Sequence, residues 1–321
     1  MGRNDEGIAR VSDGVGAKLS RRAVFSAAGA IAVAHAAQGT KAEPRRLKLS
    51  VRVEPLFPKL NLAEQLERVA AAGYQGFEFG DWRAQDAAAI TRLKNRLRLQ
   101  CVCLVGNRGV NPKGMGLCDP AERDGFLTEI SASIEAAQRF ESDKLVVLSG
   151  FKVKHLSRAQ QRESIVEGLK RGAELAAKAK VTLIVEPINT LAKVEPLNST
   201  GDNHADYFPD TIREALEILR KVDSPYVKIL YDLYHAQIME GNLTETVREH
   251  HRQFAHIHVA DVPGRNEPGT GEIHDENVFR AIYTSGFDDI VGMEYIPRAD
   301  AMNTLGDVKA MAERAFREAR G

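Results

Sequence analysis

The sequence has 321 residues, 43% hydrophobic, 27% charged and 6% aromatic, with 44 Lys and Arg balanced by 44 Asp and Glu. That is the composition of a globular chain with a sizeable core. Zero formal charge argues against a dedicated nucleic-acid binder, no apolar run reaches the roughly 20 residues of a bilayer span, and three cysteines make neither a disulfide framework nor a zinc finger.

Residues 1–37 read as an export signal. Ser20-Arg21-Arg22-Ala23-Val24-Phe25 carries a twin-arginine pair, a mild apolar run follows from Ala23 to Ala34, and Ala34-His35-Ala36 is a small-x-small cleavage pattern. Basic region, apolar region and cleavage site stand in the order an exported chain requires, and the arginine pair points to the twin-arginine route. The expectation is a periplasmic protein whose single folded domain spans residues 45–321.

That domain alternates short apolar runs with longer amphipathic stretches. Strands are expected at Leu47–Val53, Gly76–Phe79, Leu99–Val105, Lys144–Ser149, Val181–Glu186, Val227–Asp232, Ala255–Ala260 and Asp289–Tyr295. Helical periodicity fills the intervals at about Leu62–Ala72, Ala87–Leu97, Pro120–Phe140, Arg158–Lys178, Thr211–Val222 and Val308–Arg320. Asn61 with Glu64 makes a capping box before the first helix and Gly73 a stop after it; Asn242 with Glu245 repeats the box. Cys101 and Cys103, two apart in one strand, are expected on the same face as small buried hydrophobes, and Cys118 lies in a polar loop. Eight strand–helix pairs in one undivided domain predict an α/β fold, the (β/α)8 barrel. A doubly wound sheet would need a glycine-rich phosphate turn after an early strand, where Val53-Glu54-Pro55-Leu56 stands instead.

Active sites of such barrels lie at the C-terminal ends of the strands. Four consecutive strands end in chemistry-bearing residues: Glu186, Asp232, His258 and Glu294, spaced 46, 26 and 36 residues apart. Each spacing is the length of one strand–helix unit, so neighbouring strands bring the four together. Singly, each has a structural explanation: a helix cap, an ion pair, a buried core histidine. Together, three carboxylates converging in an apolar barrel would repel unless a cation neutralises them. Carboxylates with one imidazole suit Mn²⁺, Mg²⁺, Co²⁺ or Zn²⁺. An ion there would polarise a substrate carbonyl, and Glu186 and Glu294 would exchange protons with the adjacent carbons. His235, three residues after Asp232, either binds a substrate oxygen or is a surface histidine. Arg265, in the loop Asp261–Glu272, either clamps a carboxylate or is a solvated charge.

The segments LIVEPIN (183–189), YDLYHAQIMEGNLT (231–244), AHIHVADVPGRNEPGTGEIHDENVF (255–279) and GMEYIP (292–297) resemble the hydroxypyruvate isomerase family of the xylose isomerase-like barrels. The resemblance implies a divalent metal on Glu186, Asp232, His258 and Glu294, with Glu186 and Glu294 as acid and base on a cis-enediolate. It further implies His235 and Arg265 as substrate-binding residues, a small hydroxy-keto acid or sugar as substrate, and a homo-oligomer. The family reaction interconverts hydroxypyruvate and tartronate semialdehyde (2-hydroxy-3-oxopropanoate). Departures are His258, where cytosolic members carry Gln; a loosely matching loop at Asn107–Cys118; and Ala192, where ketose epimerases carry a second substrate-side Glu. The alternatives are a ketose or sugar epimerase of the same superfamily, a related endonuclease barrel acting on abasic sites, and an exported sugar-binding protein without catalysis.

Overall fold

The computed structural model describes residues 47–108, 116–192 and 204–320, all within one compact unit, Arg45–Gly321. The proposed signal, residues 1–37, lies outside the described residues, as does part of the loop between Asn107 and Cys118. Eight parallel strands close into a barrel in sequence order: β1 (Leu49–Arg52), β2 (Gly76–Phe79), β3 (Gln100–Val105), β4 (Lys144–Val147), β5 (Thr182–Val185), β6 (Val227–Asp232), β7 (Phe254–Val259) and β8 (Val291–Met293). Pairing of Leu49 with Val291 and Val51 with Met293 joins β8 back to β1. The helices are α1 (Val53–Leu56), α2 (Leu62–Ala71), α3 (Ala87–Leu97), α4 (Arg123–Phe140), α5 (Arg158–Ala179), α6 (Ile212–Val222), α7 (Leu233–Met239), α8 (Leu243–His250), α9 (Asp275–Ser285) and α10 (Ala301–Ala319). The expected (β/α)8 barrel is therefore the observed fold. None of the described helices is long and apolar enough to cross a membrane.

The core has two parts because each barrel strand alternates its side chains between the interior and the helices. Cys103, Val146, Leu148, Ile184, Ile188, Tyr207 and Leu230 form an inner cluster, while a larger one joins the strands to the helical layer. Cys101 belongs to the larger cluster and Cys103 to the inner one, so the two do not share a face. The cause is a bulge: Phe77 pairs with Cys101 but Phe79 pairs with Leu104, which leaves one extra residue in β3 and reverses its alternation. Cys118, in its loop, is buried, its thiol 3.5 Å from the carbonyls of Gly150 and Phe208.

Several boundaries differ from expectation. β1 stops at Arg52 because Val53–Leu56 turns into a helical segment, and β5 and β8 stop before Glu186 and Glu294, which lie just past the pairing. The Asn61–Glu64 box forms with both reciprocal bonds at 3.0 Å. At Asn242 no box forms: its φ is +53° and its side chain caps nothing, while Glu245 pairs with Arg248. α10 begins at Ala301, seven residues before the periodicity at Val308, because Asp300 caps it by accepting from the N–H groups of Met302 and Asn303.

Candidate metal centre

Ligand atoms of Glu186, Asp232, His258 and Glu294 all lie within 4.8 Å of one another at the C-terminal mouth of the barrel. The strand register explains the convergence: Asp232 pairs with His258, and His258 with Gly292, two residues before Glu294. Backbone bonds hold the two glutamates beyond their strands, Glu186 N–H donating to Val147 and Glu294 N–H to Val259, each at 3.2 Å. Asp232 divides its carboxylate: Oδ1 caps α7, accepting from Tyr234 N–H (2.8 Å) and His235 N–H (3.3 Å), and Oδ2 faces the site. The helix cap and the site function are thus compatible in one residue.

His235 is buried, so it is not a surface histidine. Its Nδ1 lies 2.7 Å from Asn189 Nδ2; its Nε2 lies 2.9 Å from Arg265 Nη1 and 3.6 Å from Asp232 Oδ2. Arg265 is likewise buried rather than solvated. Its Nη2 donates to Asp232 Oδ2 at 2.6 Å and to Glu294 Oε2 at 2.5 Å, and its guanidinium stands 4.8 Å from the Tyr234 ring centre. Its backbone has a φ of +55°, a left-handed conformation that costs a non-glycine residue about 1–2 kcal/mol.

The loop that imposes this conformation is gathered by one side chain. Buried Asp261 accepts four backbone N–H bonds, from Val262 (2.8 Å) and Ile273 (3.0 Å) on Oδ1 and from Gly269 (3.1 Å) and Gly271 (2.6 Å) on Oδ2. A Cβ on Gly271 would stand 2.0 Å from the Val262 carbonyl oxygen, so only glycine fits. Asp275, at the start of α9, also accepts from Gly269 N–H, at 2.8 Å. Burial, and then the charge of Asp261, push Asp275 up to about 7.

The quartet is electrostatically uneven. Burial, and then the Glu294 carboxylate, push Glu186 up to about 8. Burial alone would raise Glu294 too, but the charges of His258 and Arg265 hold it well below the usual carboxylate range. Burial also raises Asp232, against the pull of Arg265. For His258 burial favours the neutral ring, yet the carboxylates of Glu294 and Glu78 outweigh it and hold its pKa well above the usual value. These groups fit a divalent cation on a specific observation. His258 Nδ1 is buried without a hydrogen-bond partner and faces Glu294 Oε2 at 2.8 Å. A metal ion meets the same demand for positive charge as a second proton on the ring.

Three residues around this site were not singled out by sequence reasoning. Glu78, inside β2, contacts His258, and His256 lies two residues before His258 on the same strand face. A lone charge in the apolar run Gly76–Phe79 was the available signal. Arg52, at the end of β1, pairs with Glu54 at 2.9 Å, and its charge also acts on Glu294.

Carboxylates and an imidazole gathered at the mouth of a closed (β/α)8 barrel define a candidate divalent-metal site in an isomerase-type architecture. A sequence profile of the xylose isomerase-like TIM barrel matches residues 66–314. Hydroxypyruvate isomerase of Escherichia coli is 30% identical over 256 residues, 78% of this chain and 94% of that protein. The 2-oxo-tetronate isomerase of Cupriavidus necator is 29% identical over 250 residues, 76% of this chain and 92% of that protein. Among solved structures, an AP endonuclease, family 2, from Brucella melitensis has a TM-score of 0.73 at 26% identity, covering 83% of this chain and 98% of that one. The chain belongs to the xylose isomerase-like TIM barrel family and is related to its hydroxypyruvate isomerases.

Proposed function

We propose that this protein is a metal-dependent isomerase that moves the carbonyl of a small hydroxy-keto acid by one carbon. The observation that carries the reading is the convergence of Glu186, Asp232, His258 and Glu294 on one point. The names of the related hydroxypyruvate and 2-oxo-tetronate isomerases support an acid as substrate. The reaction we assign interconverts hydroxypyruvate and tartronate semialdehyde.

A divalent ion held by the quartet would act as a Lewis acid on the carbonyl and adjacent hydroxyl oxygens, acidifying the neighbouring C–H. The rest falls to the protein. One glutamate removes a proton from the hydroxyl-bearing carbon of hydroxypyruvate, giving a cis-enediolate, and a proton is returned to the former carbonyl carbon. The hydroxyl proton moves to the neighbouring oxygen, so the aldehyde product has the same atoms as the substrate. Glu186 and Glu294, reaching the site from beyond β5 and β8, serve as the acid–base pair. His235 and Arg265 stand beside them as donors to substrate oxygens, Arg265 being suited to the carboxylate.

The test is a substrate panel of hydroxypyruvate, tartronate semialdehyde, 2-oxo-tetronate and simple ketoses, assayed before and after chelation and with Mn²⁺ or Mg²⁺ restored. Glu186→Gln and Glu294→Gln are expected to lower kcat by about 10²–10⁴-fold and to abolish solvent-deuterium exchange into substrate. Exchange that survives in both variants removes the acid–base assignment, and turnover of ketoses alone makes the protein an epimerase.

We also propose export by the twin-arginine route to the periplasm, on the strength of Arg21-Arg22 and the apolar run after it. Replacing both arginines with lysine should leave the full-length precursor in the cytoplasmic fraction.

A further inference from the structure

Deeper in the barrel than the quartet lies a second group of polar side chains: Ser50 from β1, Glu78 from β2 and His256 from β7, all fully buried. Ser50 Oγ donates to Glu78 Oε1 at 2.5 Å, and His256 Nε2 lies 3.1 Å from the same oxygen. The other oxygen, Oε2, is 2.7 Å from His258 Nε2 and 3.5 Å from the Cys103 thiol. His256 is itself anchored, its Nδ1 lying 3.0 Å from the Ile290 carbonyl oxygen, which only accepts. Room for the group comes from Gly292, where a Cβ would stand 2.4 Å from Glu78 Oε1 and 2.7 Å from His256 Nε2. A polar cluster this deep is costly unless its members are paired with one another. Ser50 is paired through its bond to Glu78, whereas His256 Nε2 is a buried nitrogen without a hydrogen-bond partner, and the other oxygen of Glu78 is directed at His258.

We infer that Glu78 is a positioning residue that fixes the ring of His258 for metal binding. An ionised carboxylate only accepts hydrogen bonds, so the 2.7 Å contact assigns a proton to His258 Nε2. With a metal in place of the second ring proton, the lone pair that binds it is on Nδ1, the atom that faces Glu294 at 2.8 Å. A carboxylate behind a ligating imidazole fixes its tautomer and orientation and raises its basicity. Ser50 in turn keeps Glu78 from rotating away through its hydrogen bond, so the arrangement runs from the barrel interior to the mouth. This role rests on the reading of the quartet as a metal site.

The experiment uses the full chain labelled with ¹⁵N on histidine and loaded with Zn²⁺. Long-range ¹H–¹⁵N correlation identifies the ligating and the protonated nitrogen of His258. Competition against a chromophoric chelator gives the Zn²⁺ affinity of the wild type, Glu78→Gln and Ser50→Ala. In the wild type His258 is expected to ligate through Nδ1 and carry its proton on Nε2. Glu78→Gln is expected to weaken Zn²⁺ binding by about 10–100-fold and to alter the His258 nitrogen shifts. Ser50→Ala, which removes one donor to Glu78, gives a smaller loss in the same direction and carries the test if Glu78→Gln does not fold. Ligation through Nε2, or unchanged affinity in a folded variant, overturns the role of Glu78. A wild type that binds no Zn²⁺ overturns the metal reading itself, a result distinguishable from the other two.

Discussion

Gly292 sits between Ser50 and His258 in strand register, and the volume a side chain would need is taken by Glu78 and His256. Gly292→Ala therefore forces a buried ion-pair cluster apart in a region that cannot expand. Overpacking of this kind costs about 1–3 kcal/mol, so the variant is expected to unfold at lower denaturant, measured by chemical denaturation. At this scale the sequence disclosed the residues that interrupt a pattern. Glu186, Asp232 and Glu294 were legible because each ends an apolar run with a charge. Glu78 was a weaker signal, a single charge inside a four-residue apolar strand rather than at its end. Whether Arg265 was solvated or engaged could not be read at all, because its place depends on a left-handed backbone set by bonds to Asp261.

Elements show the same division. The Asn61–Glu64 and Asn242–Glu245 pairs look alike in sequence, yet only the first is a capping box, because Asn242 is in the left-handed region. Asn61→Ala is expected to cost about 1 kcal/mol through the lost cap. Asn242→Gly, which suits a positive φ, should be close to neutral; equal losses at both positions in thermal denaturation would contradict this distinction. The loop from Asp261 to Ile273 supplies a pH dependence. Asp275 binds its proton more tightly folded than unfolded, with a value of about 7 against an ordinary 3.8. Its contribution to stability is therefore complete below 3.8 and is lost as pH rises through about 7. Wild-type stability should fall between about pH 4 and 7 relative to Asp275→Asn, which keeps the shape without the ionisation. Parallel curves for the two proteins would remove Asp275 as the cause.

For the whole molecule, the barrel was legible because eight apolar runs recur at strand–helix spacing and no dinucleotide turn interrupts them. Closure itself, β8 against β1, is a long-range pairing that no local pattern records. Four candidate ligands from four consecutive strand ends also predict that an ion ties distant parts of the chain together. Mn²⁺ at one hundred times its Kd is expected to raise the free energy of unfolding by about 2.7 kcal/mol. The corresponding rise in Tm should vanish with EDTA and in Asp232→Ala. Identical melting curves with and without Mn²⁺ would count against the quartet as an ion site.

The Asp261 carboxylate touches the beginning, middle and end of the turn that carries Arg265. Such a turn admits neither insertions nor deletions without losing its clasp, which makes it a poor place to retune the site for longer or shorter substrates. The rim after β1, beside β8, is held by fewer bonds: Arg52 pairs with Glu54, which also accepts from the Gly80 N–H. Libraries aimed at changing chain-length preference should begin at that rim and leave the clasped turn intact.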